Sequence, residues 1–281
     1  MLAYSFLVRW NRERMGDCVD ELLGDFAVDE ALAPDAEVYS IIDLGPGDPK
    51  RFRLVRGTEQ LMAGSAMLFL LYQLMAQVQM RMSERTKNHL LIHAGSVVTP
   101  ARKGVLLPAD KGSGKSTLVA GLVRSGFGFL SDEIGVLDPA SGRLHPFPRP
   151  ISLKEGSLPV FPELISPEDG SLYAAPRGYV RASKIRPGSM GGPCDVRFVI
   201  VPKYKDGSTT RLTPLSQAET AKELWVNGIN IAHFGGRALP VLTELVRRAR
   251  GYRLVSGDLE EAVNVVNEVT NGSAPRLVGS L

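Results

Sequence analysis

Cysteine is nearly absent from the sequence, which has only Cys18 and Cys194 among its 281 residues. The two lie far apart and lack the close spacing of metal ligands, which argues against a disulfide framework and against a cysteine metal site. We therefore expect two small buried thiols in a protein of the reducing cytoplasm.

An excess of one charge is also missing. The chain has 33 Lys and Arg residues against 30 Asp and Glu residues, for a net charge of +3. The balance does not indicate a polyanionic partner, and the basic residues are not interleaved with aromatic residues as in a nucleic-acid-binding module. We expect no nucleic-acid partner.

Long uninterrupted apolar runs do not occur. The stretch from Leu61 to Met80 has no charged residue, but glutamines interrupt it. A lipid-facing helix would leave their amides in hydrocarbon, so we expect a buried helix and no membrane span. Near the start, Arg9 stands where a signal peptide would extend its apolar core, and export is not expected.

The N-terminal part of the chain has short strand-like segments at Phe6–Trp10, Val38–Leu44 and Arg51–Arg56, separated by turn residues such as GPGDPK. This pattern predicts a small β-rich unit over residues 1–57. A helix is predicted next, from about Glu59 to Arg85.

Residues 58–281 are predicted to form the main α/β domain. Two apolar strands, HLLIHAGSVVT and GVLLPA, lead to a glycine-rich loop, a helix from about Lys115 to Ser125, and a strand FGFLSDEIGVLD. This order is the one an α/β nucleotide-binding core requires. Residues 139–193 are rich in Pro and Gly and are predicted to be a loop-rich substrate or lid region. A core strand VRFVIVPKY and three helices follow, near Gln217–Asn227, Ala238–Arg250 and Asp258–Val269.

The glycine-rich string ADKGSGKST is the most informative motif of the chain. Backbone N–H groups can curl round phosphate oxygens only where side chains stay out of the way, and the helix that begins at Lys115 adds its positive end. Lys115 would contact the β- and γ-phosphates, and the Ser116 hydroxyl would bind Mg²⁺. The first glycine of the usual pattern is Ala109, a modest change if its backbone angles are ordinary. The predicted nucleotide-binding residues are Asp110, Lys111, Gly112, Ser113, Gly114, Lys115, Ser116 and Thr117.

Two adjacent carboxylates, Asp132 and Glu133, end the segment FGFLSDE. The tip of a strand beside a phosphate loop is where a metal-bound water shell or an attacking hydroxyl needs a carboxylate, and two carboxylates permit two roles. The sequence assigns Asp132 to magnesium together with Ser116. A solvated turn is the alternative interpretation of this pair.

The order of His93 in LLIHAGSVV, the glycine-rich loop and GFGFLSDE is similar to the catalytic core of the HPr kinase/phosphorylases, over about residues 90–138. ATP-type phosphoenolpyruvate carboxykinases share a looser version of it. Segments such as PRPISLKEGS and RGYVR look like those of the HPr kinase-related proteins often associated with peptide-tailoring gene sets. The resemblance implies a P-loop core of this type with a β-rich N-terminal unit, ATP and Mg²⁺ as cofactors, and a homo-oligomer.

The resemblance also implies roles for individual residues. His93 matches the active-site histidine of the family, and Glu133 aligns with its catalytic aspartate, which accepts the proton of a serine hydroxyl. Because Glu133 is one methylene longer than aspartate and follows Asp132, either carboxylate can be the base. Without the resemblance, His93 would be interpreted as a core histidine.

Two departures from the family limit the expected activity. The downstream glutamate signature that supports the reverse phosphorylase reaction is missing, which favours a dedicated kinase. The N-terminal segment differs from the regulatory domain of the bifunctional enzymes, which argues against HPr itself as the substrate.

Cations are needed to balance the charge of a transferring phosphoryl group, and Lys115 is the only one assigned so far. Arg149 and Lys154, held in PRPISLK, are the favoured candidates, followed by Arg177 and Arg181.

The sequence thus predicts a Mg²⁺- and ATP-dependent kinase acting on a serine hydroxyl of a small protein or a natural-product precursor peptide. Two alternatives stay open. One is a small-molecule kinase or carboxykinase, and the other is a switch module that binds ATP without transferring phosphate.

Overall fold

The computed structural model describes residues 4–29, 35–164 and 178–272. Its architecture is mixed α/β with several sheets, which confirms the predicted fold class at that level. The chain divides into two compact units. The first consists of Met1–Lys87 and Glu163–Arg181, and the second of Asn88–Pro162 and Ala182–Leu281.

The described part of the first unit contains a four-stranded sheet and two α-helices. Its elements are β1 Phe6–Trp10, α1 Glu13–Leu23, β2 Glu37–Asp43, β3 Phe52–Arg56, β4 Glu59–Gly64 and α2 Met67–Arg85. The strands lie in the order β1-β2-β3-β4; β1 and β2 are parallel, and the other two pairs are antiparallel.

The prediction of one helix from Glu59 to Arg85 is wrong for its first third. Gly57 has a φ of +56°, a left-handed conformation that suits glycine and reverses the chain after β3. The residues that follow therefore pair with β3 as strand β4, and the helix begins only at Met67.

The helix α2 packs into the core of the first unit, which is why this unit extends to Lys87, beyond the boundary predicted at residue 57. Its buried residues recur every three or four positions, as expected for a helix with one apolar face. They share a core with Tyr39, Phe52 and Leu54 of the sheet. Within the described parts of the chain, no helix combines the length and hydropathy needed to cross a membrane.

The second unit is built on an eight-stranded sheet. Its longer elements are β5 Leu90–Val98, β6 Lys103–Pro108, α3 Lys115–Arg124, β7 Gly128–Ser131, β8 Ile134–Leu137 and β9 Arg143–His145, then β12 Cys194–Tyr204, β13 Arg211–Leu215, α5 Gln217–Val226, α7 Ala238–Arg248, β14 Arg250–Ser256 and α8 Leu259–Thr270. Shorter elements are β10 Ile151–Ser152, β11 Tyr179–Val180 of the first unit, α4 Ala182–Ile185 and α6 Ile231–Phe234.

The strands of this sheet lie in the order β13-β14-β12-β6-β5-β8-β9, and β7 also pairs with β5. Strand β12 is parallel to both β6 and β14, whereas β5 is antiparallel to its neighbours. The predicted strand FGFLSDEIGVLD is in fact two strands, β7 and β8, which are separated at Asp132 and Glu133. In its described part, the loop-rich region 139–193 holds only short elements.

Strand β5 separates two layers of the second unit. Its residues Leu90, Ile92 and Ala94 share a core with helices α5 and α7. Because side chains alternate across a strand, His93 and Gly95 point to the opposite face, where α3 packs. The two cysteines are both buried, as predicted, and burial raises the pKa of the Cys194 thiol to about 11.

Candidate active site

The glycine-rich loop joins the end of β6 to the start of α3. Gly112 and Gly114 have φ angles of +90° and +84°, in the left-handed region that glycine adopts without strain. A side chain at Gly114 would also bring its Cβ within 2.9 Å of the Tyr204 Cβ. The Tyr204 N–H donates to the Ser113 carbonyl over 2.8 Å, so the end of β12 holds the loop in place.

Ala109, which replaces the first glycine of the usual loop, is buried in the structure. In the described residues, Arg102 alone among non-glycine residues has a positive φ, so the backbone of Ala109 is ordinary. The alanine methyl is therefore tolerated at this position.

The first turn of α3 is suited to an anion. Its N–H groups have no intrahelical acceptor, and within the described chain no side chain caps the helix at Gly114. An uncapped helix start that follows glycines of positive φ attracts phosphate oxygens.

Lys115, the first residue of α3, is 6% exposed, and its Nζ lies 2.9 Å from Nε2 of His93. Gly95 makes this approach possible, because a Cβ there would lie 2.6 Å from a Val119 methyl and 3.2 Å from the Lys115 Cγ. Burial lowers the pKa of Lys115, and the charges of Glu133 and Asp132 oppose that shift.

Glu133 completes a charged cluster around His93. Its Oε1 lies 3.2 Å from Nε2 of His93, and its Oε2 lies 3.7 Å from a guanidinium nitrogen of Arg149. Burial alone would raise the pKa of Glu133, but the hydrogen bond with His93 and the charges of Lys115 and Arg149 outweigh it and lower this pKa to about 2. Glu133 is therefore a carboxylate at neutral pH.

Asp132 has a different environment. It is 1% exposed, and its Oδ2 accepts hydrogen bonds of 2.9 Å from the Ser116 hydroxyl and the Ser152 N–H. Its Oδ1 is buried, and in the described part of the chain it has no hydrogen-bond partner. Burial raises the pKa of Asp132, while the Ser152 N–H and the Lys115 charge oppose the shift.

The break between β7 and β8 positions both carboxylates. The Ser131 hydroxyl accepts from the backbone N–H groups of Glu133, at 3.3 Å, and Ile134, at 3.1 Å, and so stabilises the break. The Glu133 carbonyl accepts from the Ala94 N–H, which places the break beside His93 on β5. The two carboxylates therefore differ in surroundings because they lie in an irregular segment rather than within a continuous strand.

The residues present fit a magnesium ion. An unpaired buried carboxylate oxygen costs about 1–3 kcal/mol or more, and a cation at the Asp132–Ser116 pair would remove that cost. The described residues contain no cluster of three or more His, Cys, Asp or Glu side chains able to hold a metal alone. Magnesium commonly uses only one or two carboxylates, with phosphates and water as further ligands.

The four predicted substrate cations have different locations. Arg149 belongs to the charged cluster through Glu133, and Lys154 lies on the wall of a cavity beside the glycine-rich loop. Arg181 pairs with Asp20 over 3.5 Å within the first unit. Arg177 lies outside the described residues.

Sequence reasoning did not identify Ser152 and Tyr204 as parts of the site. Both contribute backbone N–H groups, to Asp132 and to the loop, and a backbone contact leaves no signature in residue type. It also missed a 2.7 Å hydrogen bond between the hydroxyls of Thr117 and Ser157. The only available signal was the position of Ser152 within PRPISLK, a segment selected for its charges.

Comparison with known proteins finds a similarity of structure to the HPr(Ser) kinase/phosphatase from Coxiella burnetii, with a TM-score of 0.30 and 11% sequence identity, covering 64% of this chain and 94% of that chain. No protein-family model and no curated protein matches the sequence. A TM-score of this size does not establish a common fold, so the function has to be inferred from the residues of this chain.

Proposed function

We propose that the second unit is a Mg²⁺- and ATP-dependent phosphotransferase with an HPr kinase-like P-loop core, whose acceptor is a serine hydroxyl of a small protein or peptide. The main support is the buried carboxylate of Asp132. Its Oδ2 accepts a hydrogen bond from the Ser116 hydroxyl at the start of α3, and its Oδ1 has no partner among the described residues. A buried carboxylate with one unpaired oxygen beside a glycine-rich loop is expected of a cation site and is costly without one.

In this proposal the loop residues 110–117 bind the phosphates, and Lys115 contacts the β- and γ-phosphates. Ser116 and Asp132 would hold Mg²⁺, and the ion would neutralise negative charge on the phosphates when bound. Arg149 adds positive charge beside Glu133, where negative charge on the transferring group has to be balanced.

The geometry favours Glu133 over Asp132 as the base. Among the described residues, Ser116 and Ser152 both donate to Oδ2 of Asp132, and this carboxylate is almost fully buried. Glu133 is partly exposed and contacts His93, which is within reach of Lys115. When phosphate binds Lys115 and offsets its charge, the proton affinity of Glu133 rises, so the acceptor proton can pass to Glu133 with His93 as its neighbour.

The test uses ATP labelled at the γ-phosphate, Mg²⁺ and candidate serine-containing peptides, with mass spectrometry of the peptides. The wild type should transfer phosphate to a serine, and the Lys115→Ala protein should not. Lys222→Ala, which removes an exposed lysine of the same unit, is the matched control and should keep full activity.

Two results would contradict the proposal. Turnover of a free metabolite with no phosphate on any peptide would favour a small-molecule kinase. A non-catalytic switch would be favoured by three results together. ATP binding is lost in Lys115→Ala, the wild type transfers phosphate to no acceptor, and variants of both carboxylates keep the biological output of the protein.

A further inference from the structure

A group of exposed apolar side chains lies in the second unit, between the end of α5 and the start of α7. Among the described residues, Trp225, Val226, Ile229 and Leu239 are large apolar residues that face solvent. They belong to the end of α5, the segment before α6 and the first turn of α7, and α5 packs on α7. Single exposed apolar residues are normal on a protein surface, whereas a group of them marks an interaction site. We call these four residues the apolar surface.

The connection between α5 and α6 lies beside the candidate active site. Strand β6 pairs with β5 only as far as Pro108, which is opposite Ala94, and the glycine-rich loop leaves the sheet there. The connection then takes the place of β6, because the His93 N–H donates to the Asn227 carbonyl over 2.7 Å and the Ile229 N–H bonds to the same strand over 2.8 Å. Strand β8 occupies the other edge of β5. The apolar surface therefore begins next to His93 and to the start of the loop.

Negative charge is missing from the same part of the chain. Residues 224–243 contain no Asp or Glu, and their ionisable side chains are those of His233 and Arg237. Arg237 is exposed, and its guanidinium lies 5.4 Å from the centre of the Phe234 ring. In the part of the chain that the structure describes, no acidic side chain pairs with it. An exposed arginine beside an apolar surface can pair with a carboxylate of a partner and so select and orient that partner.

We propose that the apolar surface binds the phosphoryl acceptor through apolar side chains near its serine, and that Arg237 pairs with an acidic residue of the same acceptor. This inference rests on the proposed function, since an acceptor is needed only if phosphate is transferred. An extended chain spans about 3.3 Å per residue, so residues within about four positions of the serine reach about 13 Å from it. A second copy of the chain seated here would obstruct the approach to the glycine-rich loop, which favours the acceptor as the occupant.

A peptide library tests the inference on the full chain. Each peptide has one serine at its centre, and the flanking positions are randomised without Ser, Thr or Tyr. After incubation with ATP and Mg²⁺, mass spectrometry should show that phosphorylated peptides are enriched in large apolar residues at one or more flanking positions and in Asp or Glu at another. Phosphorylation without either enrichment would overturn the inference and leave the proposed function intact. No phosphate on any peptide would overturn the proposed function, and the inference with it.

Trp225→Ala locates the surface, since tryptophans buried at an interface often contribute most to binding. This variant should raise the KM of the most enriched peptide about tenfold or more and leave kcat and ATP affinity near wild type, because the lost contact is equal in the ground state and the transition state. Trp10→Ala is the matched control, since Trp10 of the first unit is 45% exposed and Trp225 is 43% exposed. An equal rise of KM in both variants would overturn the assignment.

Two further variants keep the test independent of the packing of Trp225. Val226→Glu, at a position that is 63% exposed, should raise the same KM by placing a charge among apolar contacts. Arg237→Gln should remove the enrichment of acidic residues and keep that of apolar residues. An unchanged KM in both Trp225→Ala and Val226→Glu would overturn the inference. A lower oligomeric state of Val226→Glu in light scattering, with an unchanged KM, would assign the surface to a second copy of the chain and overturn it as well.

Discussion

Each compact unit contains a buried aspartate, and their surroundings differ. Asp43 of the first unit is 2% exposed; its Oδ1 accepts from Arg51 Nε and the Gly45 N–H, and its Oδ2 accepts from the second Arg51 nitrogen. Asp132 of the second unit is equally buried, but only its Oδ2 has partners among the described residues. Both oxygens of the Asp43 carboxylate therefore have hydrogen-bond donors, whereas Oδ1 of Asp132 has none among the described residues.

This difference distinguishes a carboxylate that the fold pairs with an arginine from the carboxylate that we propose as a magnesium ligand. A buried ion pair with both oxygens bonded stabilises its surroundings only if neither partner is removed. A buried carboxylate with an unpaired oxygen lowers stability and is expected where a ligand completes it. Burial alone therefore does not distinguish the two aspartates, whereas the hydrogen bonding of each carboxylate oxygen does.

The largest expected effect comes from Asp132→Asn. Loss of the proposed magnesium ligand should reduce phosphate transfer about 1,000-fold or more, which corresponds to about 4 kcal/mol of transition-state stabilisation. The free energy of unfolding should stay equal or rise, because a buried charge is removed. Transfer assays over a range of Mg²⁺ concentrations and urea unfolding check both statements. A stability loss as large as that of Asp43→Asn would show that Asp132 is structural.

The next effect is that of Glu133→Gln. Removal of the proposed base should lower transfer about 100-fold or more, while ATP affinity stays within a few-fold of wild type because the loop and Asp132 are unchanged. Glu223→Gln is the matched control, since Glu223 also pairs with an arginine, Arg253, at 2.7 Å. Unaltered transfer in Glu133→Gln would move the role of base to another residue.

Asp43→Asn should have the opposite profile. Breaking the buried pair with Arg51 should lower the free energy of unfolding of the first unit by about 2 kcal/mol, because one partner stays partly buried and uncompensated. Hydrogen exchange of β2 and β3 locates the loss. Asp48→Asn is the control from the same hairpin, since the Asp48–Arg53 pair is partly exposed and 3.5 Å apart. Loss of ATP binding in Asp43→Asn would contradict the comparison.

The smallest effect is a pH dependence within the second unit. The pKa of Glu133 falls from its ordinary value of 4.5 to about 2 on folding, so its contribution to stability is present above pH 4.5 and is lost as the pH falls toward 2. The pKa of Asp132 is raised, so its contribution has the opposite sign and is lost as the pH rises through its folded value. Urea unfolding between pH 5 and 3 should therefore show a smaller loss of stability in Glu133→Gln than in wild type. Parallel losses would contradict the low pKa of Glu133.

Local patterns in the sequence located much of the candidate site. The order of strand, glycines, Lys115 and Ser116 follows from turn chemistry and helix polarity within ten residues, and the structure has the loop and helix there. Lys115, His93 and Glu133, to which the sequence and the family resemblance assign roles, lie together in the structure.

Features that depend on distant partners were not predictable in the same way. The segment after Gly57 became strand β4 because β3 was available to pair with it, and β7 and β8 separate because Ser131 bonds the backbone at the break. The backbone donors at Ser152 and Tyr204 depend on chain packing and not on residue type. The roles of Asp132 and Glu133 diverge for the same reason, since their neighbours come from β10 and β5.

Gly95 affects the geometry of the site although it carries no charged or reacting group. Gly95 has no side chain, which leaves space for Val119 and Lys115. This space lets α3 approach the sheet closely and brings the lysine ammonium near His93. A larger residue at this position would displace Lys115 sterically without altering any reacting group. The absence of a Cβ atom at Gly95 therefore helps to set the distance between the Lys115 ammonium and the His93 ring.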